Sequence, residues 1–269
     1  MDKVCIVIPI HSATPMPYEL LSVQQCFRVL GHYPIKVVAP TGLDLSAYQR
    51  VAPTFDIIYI DPKWQQSVAS YNKLKLSRFF YSLFADYEYL LTYEPDAFVF
   101  KDELAAWCAK GYDYIGAPWF EKFNLAHPDS PLIGVGNSGF SLRKVSAVDE
   151  VLKGIYYKRP FEYTSGLRNR LLAYAKTPYR WLRNQFGENY TIQSTCDISE
   201  DRFFGEVAPV YAREFKLAPI EEAIKFSFEV QPEVLFKLNK QELPMGCHAW
   251  WRYSFEFWQP FIASYGYSL

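Results

Sequence analysis

Four short stretches carry residue types whose spacing could do chemistry. In YLLTYEPDAFVF, Tyr89 to Phe100, Glu94 and Asp96 flank Pro95 between two apolar runs. Carboxylates at a strand end suit a hard divalent cation, which takes oxygen ligands and bridges a diphosphate, and Pro95 stiffens the backbone between them. The plainer alternative is an Asp that forms a turn or caps a helix. GVGNSG, Gly134 to Gly139, has the G-x-G-x-x-G spacing of a dinucleotide loop, but strand-like FSLRK follows where that motif opens a helix. Its glycines read instead as backbone that lets a ligand approach, with Asn137 and Ser138 as polar contacts, or as a tight turn. In DISEDRFF, Asp197 and Glu200 have capping-box spacing, which leaves Asp201 as a general base or a partner of the helix dipole. GCHAWW holds His248, one of 4 histidines, as a nitrogen ligand for a metal or a satisfied core group. Neither HExxH nor GxSxG occurs, so metalloprotease and serine-hydrolase chemistry have no motif.

The elements that must position these residues alternate. VCIVIPI is a β-rich run expected of a strand covered on both faces, and Tyr18 to Leu30 has helical apolar spacing ending at Gly31. IKVVAP and FDIIYID read as strands, Asn72 to Phe84 as one helix, and YEYLLTY as another strand. This alternation predicts an α/β fold with βαβ crossovers and a mostly parallel central sheet. It puts Glu94 and Asp96 past the C-terminal end of a central strand, the edge where open α/β sheets bind ligands, with the strand resuming at AFVF.

The chain of 269 residues, 50% hydrophobic, is long enough to bury a sizeable core and reads as a single domain, 1–269, carrying a basic helical insertion over 153–195. The net charge of −1 gives no pull toward nucleic acid, but residues 153–190 hold eight bases and two acids, a local +6 against −7 elsewhere. Within them LRNRLLAYAKTPYRWLRNQF predicts two basic amphipathic helices broken at Pro178. Such helices lie on anionic membranes or grip acidic ligands, or they are the solvated face of a hairpin. Five scattered cysteines without a CxxC, no signal peptide and no run of about 18 apolar residues point to a cytoplasmic protein, or one held peripherally on the inner face of a membrane.

In order, VCIVIPIH, YNKLKLSRFFYSLF, YLLTYEPDAFVF, YDYIGAPW, GNSGFSLRK, SEDRFF and GCHAWW resemble GT-A fold glycosyltransferases. More narrowly they resemble bacterial glycosyltransferase-like proteins whose blocks are an acidic motif, DYIGAPW, GNGGFSLR, an ED pair and a final His segment. The resemblance covers Val4 to Trp251 except the insertion. It implies a nucleotide-sugar donor, UDP favoured, and a glycan or lipid-linked acceptor in surface polysaccharide synthesis. EPD then stands in place of DxD, with Asp96 and His248 on Mn²⁺ or Mg²⁺ and Glu94, longer than the usual Asp, on the metal or the ribose. Asp201 becomes the base of an inverting displacement. Pro9, Ile10 and His11 border the nucleotide base, Lys73 adds charge at the diphosphate, and Trp119, Gly136, Asn137, Ser138, Gly139 and Glu200 frame donor and acceptor sugars. The alternatives are a catalytically inactive nucleotide-sugar or glycan-binding module of the same fold and a retaining transferase.

Overall fold

The computed structural model describes residues 3–52 and 55–269. In chain order its strands are β1 (Val4–Pro9), β2 (Ile35–Pro40), β3 (Asp56–Ile60), β4 (Tyr89–Tyr93), β5 (Phe98–Val99), β6 (Tyr114–Ile115), β7 (Pro118–Phe120), β8 (Leu132–Val135), β9 (Phe140–Lys144), β10 (Ser227–Phe228) and β11 (Gly246–Cys247). The fold is mixed α/β. Its central six-stranded sheet runs β3-β2-β1-β4-β9-β6, with β3, β2, β1 and β4 mutually parallel and β9 antiparallel to both neighbours.

The continuous apolar run of β1 follows from burial on both faces. Val4, Ile6 and Ile8 pack with Val23, Cys26 and Leu30 of the helix Pro17–Leu30, while Cys5 and Val7 face the helices Val68–Lys75, Arg78–Ser82 and Val145–Gly154. The order reverses between β1 and β4, because the crossover after β3 returns the chain to the far side of β1. A crevice opens at such a switch point, here beyond Pro9 and Tyr93.

A second sheet, β10-β11-β5, pairs β10 parallel and β5 antiparallel to β11. It packs against the helix Phe255–Ala263 through Phe98, Phe228, Cys247, Trp250, Trp258 and Ile262. A hairpin of β7 and β8 completes the β structure among the described residues.

Four local expectations change. Asn72 to Phe84 is two helices, because Ser77 ends the first and caps the second by accepting from the Phe80 N–H at 3.2 Å. AFVF does not resume β4 but opens the second sheet. The basic helices are Leu167–Ala175 and Thr177–Asn184, broken at Lys176, since proline is tolerated in a first turn and Pro178 sits inside the second helix. The capping box of Asp197 and Glu200 is absent: the helix begins at Glu200, with Asp197 outside it and paired to Arg159 at 3.0 Å. Among the described residues no helix is long and apolar enough to cross a membrane.

Candidate functional site

The E-P-D segment is the turn that carries the chain from one sheet to the other. Ala97 donates to the Glu94 carbonyl at 2.8 Å, closing a four-residue turn, and the Glu94 N–H continues the β4 ladder onto Gly139 at 2.7 Å. The second sheet brings two more groups to the same place. Ser227 pairs with Gly246 and Phe228 with Cys247 in parallel register, so the next residues, Glu229 and His248, emerge side by side. The antiparallel pairing of Cys247 with Phe98 sets His248 beside the turn.

One donor atom each from Glu94, Asp96 and His248 lie within 4.8 Å of one another. The His248 Nδ1 meets Glu229 Oε1 at 2.9 Å, which orients the ring and turns Nε2 toward Asp96 and Glu94. Nε2 is buried 3.0 Å from Asp96 Oδ1 and 3.5 Å from Glu94 Oε2, yet aligned for a hydrogen bond with neither. Two carboxylate oxygens and an orphaned imidazole nitrogen aimed at one point are a donor set for a divalent cation. Although burial works against a charged ring, Asp96 and then Glu229 and Glu94 raise the His248 pKa well above its ordinary value. The pocket therefore demands positive charge at Nε2, a proton or a metal ion. Gly139 makes room for the ring: a Cβ there would stand 2.1 Å from His248 Nε2.

Buried cations hold the acids in place. Lys75, fully buried, donates to Glu94 Oε1 at 2.7 Å and to the Ser138 Oγ and carbonyl at 2.6 and 2.8 Å, and lies 3.1 Å from Glu200 Oε1. Tyr71 and Ser138 hydroxyls also donate to Glu94 Oε1, both at 3.1 Å, so Oε2 is the oxygen Glu94 has free for a ligand. Burial raises the Glu94 pKa, but Lys75 and His248 more than reverse this and hold it well below the carboxylate range. Glu200 Oε1 also accepts from Arg143 at 3.0 Å, leaving Oε2 buried without a partner. Asp201, next in the chain, is partly exposed, and burial followed by the charge of Glu200 raises its pKa.

A cleft of about 540 Å³ opens over this turn. Of the residues singled out in the sequence, Pro9, His11, Glu94, Pro95, Asp96, Ser138 and His248 line it. The others lie elsewhere. Ile10 is core, 1% exposed, and Lys73 points to solvent because it sits two positions from Lys75 on a helix of 3.6 residues per turn. The cation at Glu94 is thus Lys75 and not Lys73. Trp119 is buried against Gly134, Gly136 and Gly205, so Gly136 accommodates an indole and not a ligand. Asn137 is buried. Its Oδ1 accepts from the N–H groups of Gly139 and Phe140 at 2.8 and 2.7 Å, and its Nδ2 donates to Glu229 at 2.9 Å. Glu200 is buried among cations, and Asp201 stands off the cleft lining.

The sequence reading missed Lys75, Glu229 and Arg252, whose guanidinium lies 3.3 Å from Asp96 Oδ2 on the cleft wall. Lys75 shares its helix with Lys73, and only the helix's orientation against the sheet separates the two. Glu229 had no signal, because its role depends on a register between strands 19 residues apart in sequence.

Residues 54–248, more than half of the chain, match the family model described as "Protein of unknown function (DUF5672)". No curated protein matches the chain. Among solved structures the chain is similar to mouse xyloside xylosyltransferase 1 in its apo form, at 11% identity and a TM-score of 0.49, covering 92% of this chain and 97% of that one. It is also similar to the galactosyltransferase LgtC in complex with donor and acceptor sugar analogs, at 12% identity and a TM-score of 0.48, covering 97% and 95%. A third is core-mannan synthase A from Aspergillus fumigatus in its Mn/GDP form, at 10% identity and a TM-score of 0.41, covering 65% of each chain.

Proposed function

We propose that this chain, which belongs to the DUF5672 family, is a metal-dependent glycosyltransferase of GT-A type that moves a sugar from a nucleotide-sugar, a UDP-sugar favoured, to a hydroxyl of a glycan or lipid-linked glycan. The observation that carries the reading is the convergence of Asp96, Glu94 Oε2 and His248 Nε2 within 4.8 Å, at the switch-point edge of a parallel sheet and under a cleft of about 540 Å³. A cytoplasmic setting belongs to the same reading and is supported by five free cysteines.

Mn²⁺ or Mg²⁺, when bound by Asp96, His248 and Glu94, supplies counter-charge to a diphosphate leaving group. The chain's own residues do the rest. Pro9 and His11, at the end of β1, border the nucleotide, and Arg252 meets phosphate oxygens from the cleft wall. In the inverting form, Asp201 takes the proton of the acceptor hydroxyl as its oxygen bonds to the anomeric carbon. The bond from that carbon to the diphosphate oxygen breaks, and the diphosphate leaves with the electron pair. The raised pKa of Asp201 suits a carboxylate that must accept a proton.

One observation favours a second reading. Asp201 is not among the residues that line the cleft, and a retaining transfer needs no base at its position. The anomeric configuration of the product separates the two. To test the function itself, UDP-, GDP-, CMP- and dTDP-sugars are assayed for donor hydrolysis and transfer with and without Mn²⁺. Turnover with one donor, lost in Asp96→Asn, is expected. Tight donor binding without turnover would make the chain a binding module, and no response to any donor would remove the assignment.

A further inference from the structure

We infer that the helices Leu167–Ala175 and Thr177–Asn184 form a docking surface for an anionic lipid bilayer. The basic composition of this stretch left a bilayer and a plain solvated face equally open, and the exposure of its apolar residues separates them. Of the 19 large hydrophobic side chains exposed among the described residues, nine fall within residues 161–186. Single exposed apolar residues are ordinary on any protein, whereas a concentration of them marks a contact surface.

Their placement around each helix is ordered. At about 100° per residue, Leu167, Leu171 and Tyr174 form one stripe on the first helix, turned away from buried Ala173, with Arg168 and Arg170 on its two flanks. On the second helix, Tyr179, Trp181 and Leu182 occupy the arc opposite buried Arg180, with Arg183 at its edge. Trp181 is 58% exposed. An apolar stripe rimmed by arginine, with tryptophan and tyrosine in it, is the pattern of a helix lying in a lipid interface.

The charge of the surface is more uniform than composition alone shows. Both acids of the stretch are already engaged: Glu162 forms a bidentate pair with Arg180 at 2.6 and 2.9 Å, and Glu188 accepts the backbone N–H groups of Arg78 and Phe79, both at 2.7 Å. Arg159 pairs with Asp197. Lys158, Arg168, Arg170, Lys176 and Arg183 remain exposed and form no ion pair within 4.0 Å among the described residues. This cationic rim complements anionic headgroups. Set face to face with a second copy, the same surface would oppose five cations to five, which argues against a dimer contact.

The test is sedimentation of the full chain with phosphatidylcholine vesicles, alone or with about a third phosphatidylglycerol, at low and high salt. Binding is expected with the anionic vesicles and should weaken with salt, since surface attraction is worth about fivefold in affinity per basic residue and is screened beyond a Debye length. Leu171→Glu with Trp181→Glu, and separately Arg168→Glu with Arg170→Glu, should each reduce binding by about tenfold or more. All four positions are exposed, and unchanged thermal melts would show that the fold is intact. No sedimentation with either vesicle, or binding indifferent to both variant pairs, would overturn the proposal. So would a concentration-dependent dimer abolished by Trp181→Glu. The readout is separate from sugar transfer, so either proposal can fail alone.

Discussion

Lys75 touches two acids at once, through Glu94 Oε1 and Glu200 Oε1, with no exposure to water. Removing it strands buried carboxylate charge, which costs about 3–5 kcal/mol when one partner of a buried pair is lost. Lys75→Met should therefore lower stability by about that amount in urea unfolding, where a change near zero would show that the acids rearrange. Gly139→Ala puts a methyl into the His248 ring. It should weaken Mn²⁺ binding by about tenfold or more, measured calorimetrically, with helix content unchanged. Burial, then the charge of Glu200, raises the pKa of Asp201. A base works deprotonated, so the rate should fall as pH drops through a point above the ordinary aspartate range. Asp201→Asn should reduce turnover by about 10²-fold to 10⁴-fold. Full activity in that variant would remove Asp201 as the base.

At the scale of elements, two short strands matter more than their length implies. β10 and β11 contribute two residues each, and their parallel register is what sets Glu229 against His248. Glu229→Gln keeps the shape of the side chain but removes the charge that orients the imidazole. Loss of such a supporting contact typically costs about 10-fold to 100-fold in metal affinity. Titration of Mn²⁺ into the variant should show a drop of that size, and unchanged affinity would mean that the turn of Glu94 to Ala97 orients the site unaided.

At the scale of the whole molecule, the cleft lies where the main sheet, the second sheet and the helix Val68–Lys75 meet, so a ligand there joins parts distant in sequence. A nucleotide-sugar with Mn²⁺ should therefore stabilise the entire fold. At a hundredfold excess over the dissociation constant the gain is about 2.7 kcal/mol, readable as a rise in melting temperature. The same donor without Mn²⁺ should give a smaller rise.

Local chemistry determined much of this protein in advance. Apolar runs alternating with helical spacing specified the parallel sheet, most clearly at β1 and β4, which are buried along their whole length, and the position of Glu94 and Asp96 at the end of β4 followed from that alternation. A short break at Glu94 to Asp96 was also legible, since proline between two acids does not continue a strand. The ends of the helices, the sheet that AFVF joins and the partners of the acids were not. Those depended on register and on one helical turn, where Lys75 and not Lys73 faces inward, and on pairing between segments more than a hundred residues apart. A charged side chain in a sequence has no partner until the fold supplies one. Only the tertiary structure therefore decided that Glu200 is held among buried cations and that His248 turns Nε2 toward Asp96.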